Sequence, residues 1–150
     1  MLSRPRAPRP GHTLAELLVV LALAGIAGAV VAGAWRALAD RTGARMAATD
    51  LAALLAEARD EALARATVVA ARVDSADGVV VLRAGADTLA HRRLGALHGV
   101  RIAATRDSVT YSPLGVGRGL ANARFILARG GAAETVFVSR LGRVRVGGVE

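Results

Sequence analysis

The chain begins with a long apolar run. No charged residue occurs between Leu17 and Trp35. As an α-helix, these 19 residues would be roughly 28 Å long, close to the ~30 Å hydrocarbon thickness of a bilayer. The run therefore predicts a membrane-spanning helix. The alternative, a helix buried in a soluble core, needs more surrounding protein than the rest of this chain provides.

The helical pattern continues beyond Trp35, but on one face only. No proline occurs between Arg36 and Ala66, and apolar residues recur there at helical spacing. These residues are Leu51, Leu54, Leu55, Ala58 and Ala62. The stripe predicts an amphipathic continuation, so that one helix extends from about residue 12 to about residue 66.

Beyond Thr67 the apolar residues alternate with polar ones, and β-branched and turn residues become frequent. This pattern is typical of short strands, and Asp77-Gly78 is a strong hairpin signal. The fold class that follows is α+β, with a long N-terminal α-helix packed on a C-terminal antiparallel β-sheet. The longest predicted loop is 113–121, and the predicted strands are 67–74, 78–84, 87–93, 98–105, 107–112, 122–129, 134–140 and 142–147.

Composition and charge narrow the classes of function. With 53% hydrophobic residues, the chain is too apolar to be disordered. All 20 basic residues are arginines and the formal net charge is +8, with the excess in the first eleven residues and in the predicted sheet. The absence of cysteine excludes disulfides, thiolate nucleophiles and cysteine-ligated metals.

The residues before the apolar run indicate its orientation. Arg4, Arg6 and Arg9 alternate with prolines and are expected to stay on the cytoplasmic side. A secretory signal peptide cleaved near Ala32-Gly33-Ala34 is the competing interpretation. Glu16 counts against it, because a carboxylate at the start of such an apolar segment is costly.

The start of the apolar run carries a resemblance. Gly11-His12-Thr13-Leu14-Ala15-Glu16-Leu17-Leu18 resembles the class III leader junction of type IV pilins and type II secretion pseudopilins, whose usual form is Gly-Phe-Thr-Leu-x-Glu-Leu-Leu. The resemblance implies that a membrane-embedded prepilin peptidase cuts after Gly11 and that the new amino terminus, at His12, is N-methylated. The histidine is a departure, since this family usually has phenylalanine there.

Glu16 has a physical reason to matter. A carboxylate in the apolar end of a membrane helix is costly unless it meets a cation. In a filament of axially staggered subunits, the resemblance implies that the free amino terminus of one subunit neutralises Glu16 of its neighbour, which gives Glu16 a role in assembly. The alternative is that Glu16 lies at the membrane interface and reaches lipid headgroups.

A second resemblance lies in the C-terminal half. Four segments are similar in order to the globular domain of the family that contains the minor pseudopilin H of type II secretion (GspH) and the minor pilin FimT. They are Tyr111-Ser112-Pro113-Leu114-Gly115, Phe125-Ile126-Leu127, Val136-Phe137-Val138-Ser139 and Gly142-Arg143-Val144-Arg145. The last of them resembles the Gly-Arg-x-Arg tail with which FimT-like minor pilins contact DNA.

On a strand, Arg143 and Arg145 share one face, and their guanidinium groups are expected to face water, where they can pair with phosphates. The alternative is an arginine-rich edge that is merely solvated. Few aromatic residues are available, so base stacking is not expected. Four more arginines could lie near this pair, but the pattern does not place them: Arg118, Arg124, Arg129 and Arg140.

The chain offers little for catalysis. Its histidines, His12, His91 and His98, have no metal-ligand spacing with one another or with an acid. No Gly-x-Ser-x-Gly elbow is present, and the glycines between 115 and 119 lack the lysine of a P-loop. We therefore expect no enzymatic activity, metal, cofactor or small-molecule substrate.

These patterns predict a single-pass inner-membrane protein with its C-terminal domain in the periplasm. Its expected function is that of a minor pseudopilin, a structural filament subunit supporting type II secretion. The expected partners are other pilins or pseudopilins, the prepilin peptidase and the inner membrane. The predicted segments are a leader 1–11, a transmembrane helix half 12–35, an amphipathic helix half 36–66 and a sheet domain 67–150.

Two alternatives remain at this stage. One is a type IV minor pilin that binds DNA through Arg143 and Arg145 for DNA uptake. The other is a secreted enzyme released by cleavage near Ala34.

Overall fold

One long helix begins the fold. A computed structural model describes residues 13–119 and 122–148, so the predicted cleavage and methylation sites, Gly11 and His12, lie outside the described residues. The helix, α1, occupies Leu14–Ala64. Thr13 caps it, because Thr13 Oγ1 accepts a hydrogen bond of 3.3 Å from the backbone N–H of Glu16. Thr-x-x-Glu is the spacing of a capping box. The prediction of one continuous helix is confirmed.

The chain divides into two units between Arg36 and Ala37. In the first unit, α1 exposes its apolar side chains, and Trp35 is 72% exposed. An 18-residue window of α1 has a mean hydropathy of 2.6 and none of it is buried. This helix is long and apolar enough to cross a membrane, and it fits a single-pass anchor.

In the second unit, α1 buries one face. The buried residues follow the predicted helical spacing, and the leucines among them are covered almost completely. Each fully buried leucine contributes about 2 kcal/mol relative to an exposed one. Small residues let the sheets approach this face closely. The whole buried set is Gly43, Ala44, Ala47, Ala48, Leu51, Leu54, Leu55, Ala58 and Ala62.

Among residues 13–119 and 122–148, the remaining elements are nine short strands and one short helix. The first group is β1 (Val69–Asp74), β2 (Val79–Ala84), β3 (Asp87–Arg93), the helix α2 (Leu94–His98), β4 (Arg101–Ala104) and β5 (Ser108–Tyr111). The second group is β6 (Gly117–Arg118), β7 (Ala123–Arg129), β8 (Ala132–Val138) and β9 (Val144–Gly148).

The strands form two antiparallel sheets. The five-stranded sheet has the order β3-β2-β1-β5-β6, and the four-stranded sheet has the order β4-β7-β8-β9. Their inner faces and the buried face of α1 enclose one apolar core, in which Tyr111 and Phe125 are the largest fully buried side chains. The α+β class, with a long helix packed on antiparallel sheet, is confirmed.

Two local expectations and the expected number of sheets were wrong. The strand expected at 98–105 begins only at Arg101, because residues 94–98 form α2, which ends at Gly99 with a left-handed φ of 65°. The expected loop 113–121 contains the short strand β6, which pairs with β5. The single expected sheet is also split in two, since β4 pairs with β7 and not with β5.

Candidate functional site

Arg143 immediately precedes the edge strand β9, and Arg145 is the second residue of that strand. The backbone of Arg143 pairs with Ser139: its N–H donates to Ser139 Oγ at 3.1 Å, and its carbonyl accepts from the Ser139 N–H at 2.9 Å. Arg145 stands opposite Phe137 in the register of β8 and β9. Both arginine side chains are exposed. The structure therefore brings the two guanidinium groups to one surface.

These arginines line an open groove of about 430 Å³. Its apolar part includes Phe137, 44% exposed, and Leu141, 72% exposed. None of the described residues that line it is acidic. The full lining is Asn122, Phe137, Val138, Ser139, Leu141, Arg143 and Arg145. A groove with two cations and an aromatic ring can bind an extended anionic ligand by charge and by stacking.

Phe137 was not predicted as part of this site. Cross-strand register puts Arg124 of β7 and Arg145 of β9 on either side of it, because both residues pair with Phe137. Paired side chains in an antiparallel sheet lie about 5 Å apart on the same face. The alternation of side chains along β8 indicates that Phe137 is exposed, since Val136 and Val138 are buried and the residue between them must face outward. One of the few aromatic residues of the chain, Phe137, is therefore exposed beside the arginines.

The other arginines fall into two groups. Arg118 and Arg140 adjoin the groove, where they line a neighbouring small cavity together with Arg106. Arg129 is engaged elsewhere: its Nη1 donates to the His98 carbonyl at 2.8 Å, and its Nε lies 3.4 Å from a carboxylate oxygen of Asp40. Arg129 thus secures α1 to the four-stranded sheet.

The turn that carries the arginines rests on Tyr111. Gly142 has a φ of 78°, and a Cβ atom on it would lie 2.8 Å from Tyr111 Cε1. Glycine is favoured here both by the backbone conformation and by the close approach.

The hydroxyl of Tyr111 is buried and has no hydrogen-bond partner among residues 13–119 and 122–148. Burial raises the pKa of Tyr111 to about 12, against a smaller lowering by Arg59.

At the other end of the chain, Glu16 occupies the first turn of α1. A carboxylate near a helix N-terminus interacts favourably with the helix dipole. The backbone N–H of Glu16 donates to Thr13 Oγ1, so Glu16 has the position that the acid takes in a capping box.

The two histidines that the structure describes, His91 and His98, lie on different elements. His98 is 8% exposed and its Nε2 lies 2.7 Å from Asp50 Oδ2, a contact between α2 and α1. His91 is exposed on β3, at the edge of the five-stranded sheet farthest from β6. Among the described residues, no group of three or more potential ligands that could hold a metal ion occurs.

Comparison with known proteins supplies the family. A family model described as Type II transport protein GspH matches residues 47–142. A crystal structure of the type IV minor pilin FimU of Pseudomonas aeruginosa, in space group P21, has a TM-score of 0.61 and 17% identity, over 71% of this chain and 90% of that chain. A second FimU structure, in space group P65, has a TM-score of 0.58 and 16% identity, over 69% of this chain and 91% of that chain. At these identities the likeness concerns the fold alone.

No curated protein sequence matches the chain significantly. The family model nevertheless covers more than half of the chain, including most of the buried face of α1, the strands from β1 to β8 and the turn that leads to Arg143. This protein therefore belongs to the GspH family and has a pilin-like fold.

Proposed function

We propose that this chain is a minor pseudopilin, a structural subunit of the type IV-pilus-like filament that supports type II secretion, with no enzymatic activity. One observation carries the proposal. The exposed apolar helix that begins after Thr13 continues without a break into the helix that packs inside the family-matched domain. Such a helix can store the subunit in a bilayer and later pack among equivalent helices in a filament.

In this proposal the subunit is made with a leader. Prepilin peptidase cuts after Gly11, and the new amino terminus at His12 is methylated, as the resemblance of the junction implies. The protein then spans the inner membrane once, with residues 67–150 in the periplasm. Mass spectrometry of the mature chain from its host tests this step. A methylated N-terminus at His12 is expected, whereas an N-terminus at Trp35 would indicate a secretory signal peptide.

Glu16 would act in filament assembly through its charge. Its position in the first turn of α1 lies close to the amino terminus that cleavage would create. In a staggered bundle, that terminus could lie beside Glu16 of the next subunit. A charge pair in a medium of low dielectric is much stronger than in water, so it would favour transfer from lipid into the filament.

Glu16 also has the position of the acid in a capping box. The charge role and a capping role therefore need separate variants. Glutamine can replace glutamate in a capping box but carries no charge. Glu16→Gln therefore tests the charge alone, and Glu16→Ala removes both roles. We expect both variants to insert into the membrane and to be depleted from sheared filaments to the same extent. Normal incorporation of Glu16→Gln would contradict the charge role.

The assignment to secretion is tested in the host. Deletion of the gene is expected to reduce export of type II substrates and to leave twitching and DNA uptake intact. Complementation with the full chain should restore export. Normal export with lost transformation would overturn the secretion assignment in favour of a pilus.

A specific observation favours a second candidate function. Arg143 and Arg145 share a groove with the exposed ring of Phe137, and none of the described lining residues is acidic. Phosphate-only contacts are sufficient for binding that does not depend on sequence. The second candidate is therefore a minor pilin that grips DNA through this groove.

Binding to labelled DNA tests this candidate, with the full chain held in micelles of an uncharged detergent. Arg143→Ala/Arg145→Ala should weaken binding and reduce the slope of log K against log salt by about 1.8, at ~0.9 per phosphate. Arg92→Ala/Arg93→Ala is the matched control, because it removes the same charge from β3, an edge strand of the other sheet that does not line the groove. Equal losses in both variants would show that only net charge matters.

A further inference from the structure

A second cavity adjoins the groove and is lined by three more arginines. It has a volume of about 40 Å³, and it shares Val138 and Ser139 with the groove. Its cationic lining is Arg106, Arg118 and Arg140, and its hydroxyl lining is Ser108, Thr110 and Ser139. The arginines come from three separate parts of the chain, so only the fold brings them together.

The backbone explains why Arg118 and Arg140 meet. Arg118 pairs with Thr110 in the ladder between β6 and β5, so their side chains share one face. Gly117 allows the segment after β8 to approach, because a Cβ atom on residue 117 would lie 2.9 Å from the Arg140 carbonyl oxygen. The backbone N–H of Arg140 donates to Asn122 Oδ1 at 3.2 Å and holds this segment in place.

The charges of this cavity are not balanced within the described structure. Among residues 13–119 and 122–148, no side chain forms an ion pair or hydrogen bond with the guanidinium group of Arg106, Arg118 or Arg140. Asp107, the neighbouring acid, lies 3.8 Å from Arg72 instead. Three cations around one small cavity repel one another unless an anion lies between them. Guanidinium groups match the oxygens of a phosphate, and serine and threonine hydroxyls can donate to the same group.

We infer that Arg106, Arg118 and Arg140 form a second phosphate site, and that a DNA backbone lying along the Arg143–Arg145 groove continues into it. This inference rests on the second candidate function, DNA binding, and adds residues outside the Gly-Arg-x-Arg element. The ligand class is a phosphodiester backbone. The consequence is that five arginines, and not two, neutralise phosphates when DNA is bound.

The number of phosphate contacts is measurable as a salt slope. The slope of log K against log salt is about −0.9 per phosphate, so five contacts give about −4.5 and two give about −1.8. We expect a slope near −4.5 for the unmodified chain and near −1.8 for Arg106→Ala/Arg118→Ala/Arg140→Ala, at ~0.9 per phosphate. The Arg143→Ala/Arg145→Ala variant keeps three contacts and should lie near −2.7, at the same ~0.9 per phosphate.

The experiment uses the full chain in uncharged micelles and labelled duplex DNA at several salt concentrations. Arg92→Ala/Arg93→Ala/Arg101→Ala is the control, because it removes three charges from the strand edges remote from β6 and β9. The inference is overturned if Arg106→Ala/Arg118→Ala/Arg140→Ala has the same salt slope as the control while Arg143→Ala/Arg145→Ala has a reduced slope. DNA would then bind at the groove without using the second cavity. Failure of the unmodified chain to bind at low salt overturns both the DNA function and the inference.

Discussion

Gly142 packs against the ring of Tyr111, and a Cβ atom at residue 142 would lie only 2.8 Å from Tyr111 Cε1. This contact joins the first residue of the Gly-Arg-x-Arg element to the centre of the apolar core, where Tyr111 is fully buried. The glycine sets the position of the turn, and the turn sets the positions of the two arginines that follow. A residue of the candidate interface is therefore also a packing residue.

Replacing Gly142 by alanine should destabilise the domain by about 2–4 kcal/mol, from left-handed backbone strain and from overpacking against the ring. Pulse proteolysis of the full chain in uncharged micelles across a urea series measures the loss. Gly85→Ala is the matched control, since Gly85 has a φ of 59° and a Cβ atom added there would meet nothing within 4 Å. Equal losses in the two variants would contradict the role of the Tyr111 contact.

Tyr111→Phe should leave the stability at neutral pH unchanged or raise it. The buried hydroxyl has no hydrogen-bond partner among the described residues, so the change removes an unsatisfied polar group and keeps the ring. Urea midpoints of the variant and the unmodified chain measure the difference. A loss comparable to that of a broken buried hydrogen bond would contradict this account.

Tyr111 also predicts an alkaline transition. Because burial raises its pKa to about 12, above the ordinary 10.0, the folded state favours the neutral phenol. Its contribution to stability is complete below about pH 10 and is lost as the pH rises from about 10 to about 12. Tyr111 is the one tyrosine of the chain, so tyrosinate absorbance reports it directly. Ionisation at the ordinary pKa in the folded protein would contradict the burial.

Asp50→Ala should cost about 1–3 kcal/mol, because it leaves the nearly buried ring of His98 without the carboxylate that lies 2.7 Å from its Nε2. Asp60→Ala is the control, since Asp60 is exposed on the same helix and both changes alter helix propensity equally. It should change stability by less than about 0.5 kcal/mol. Urea midpoints measure both changes, and a loss in Asp50→Ala no greater than in Asp60→Ala would contradict the role of the His98 contact.

Phe137→Ala should weaken binding of single-stranded DNA by about 1–3 kcal/mol, the usual contribution of one stacked base. Duplex DNA should be affected less, because its bases are already stacked on one another. Leu141→Ala provides the control, as Leu141 is an exposed apolar residue of the same groove without an aromatic face. Fluorescence anisotropy with both kinds of DNA measures the effect. The same loss for both variants would exclude stacking on Phe137.

Much of the fold could be predicted because its signals are local. The apolar run from Leu17 to Trp35 is recognised from its length alone, and the apolar stripe from Leu51 to Ala62 is recognised from its helical spacing. Glycine positions indicated most of the turns. The start of the strand expected at 98–105 was wrong, and residues 94–97 were assigned to no element, since five residues are too few to show the helical period. In the structure residues 94–98 form α2, which buries Leu94 and His98.

The candidate site could be predicted only in part. Arg143 and Arg145 are two positions apart, so local geometry places them on one face of the chain. Arg106, Arg118 and Arg140 share a cavity because β6 pairs with β5 and because Gly117 admits the segment that follows β8. Pairing between strands that are distant in the sequence produces no periodic pattern of residues, so a single sequence does not predict it.

The amino-acid sequence by itself determined the long helix, its change from an apolar to a striped half, the strand-rich second half and the resemblance to pilins. Each of these depends on spacing within a few turns or a few residues. The tertiary structure decided the division into two sheets, the engagement of Arg129 by Asp40 and His98, and the exposure of Phe137 between Arg124 and Arg145. The physical reason is that these features depend on which strands pair, and strand pairing is settled by how the whole core is buried.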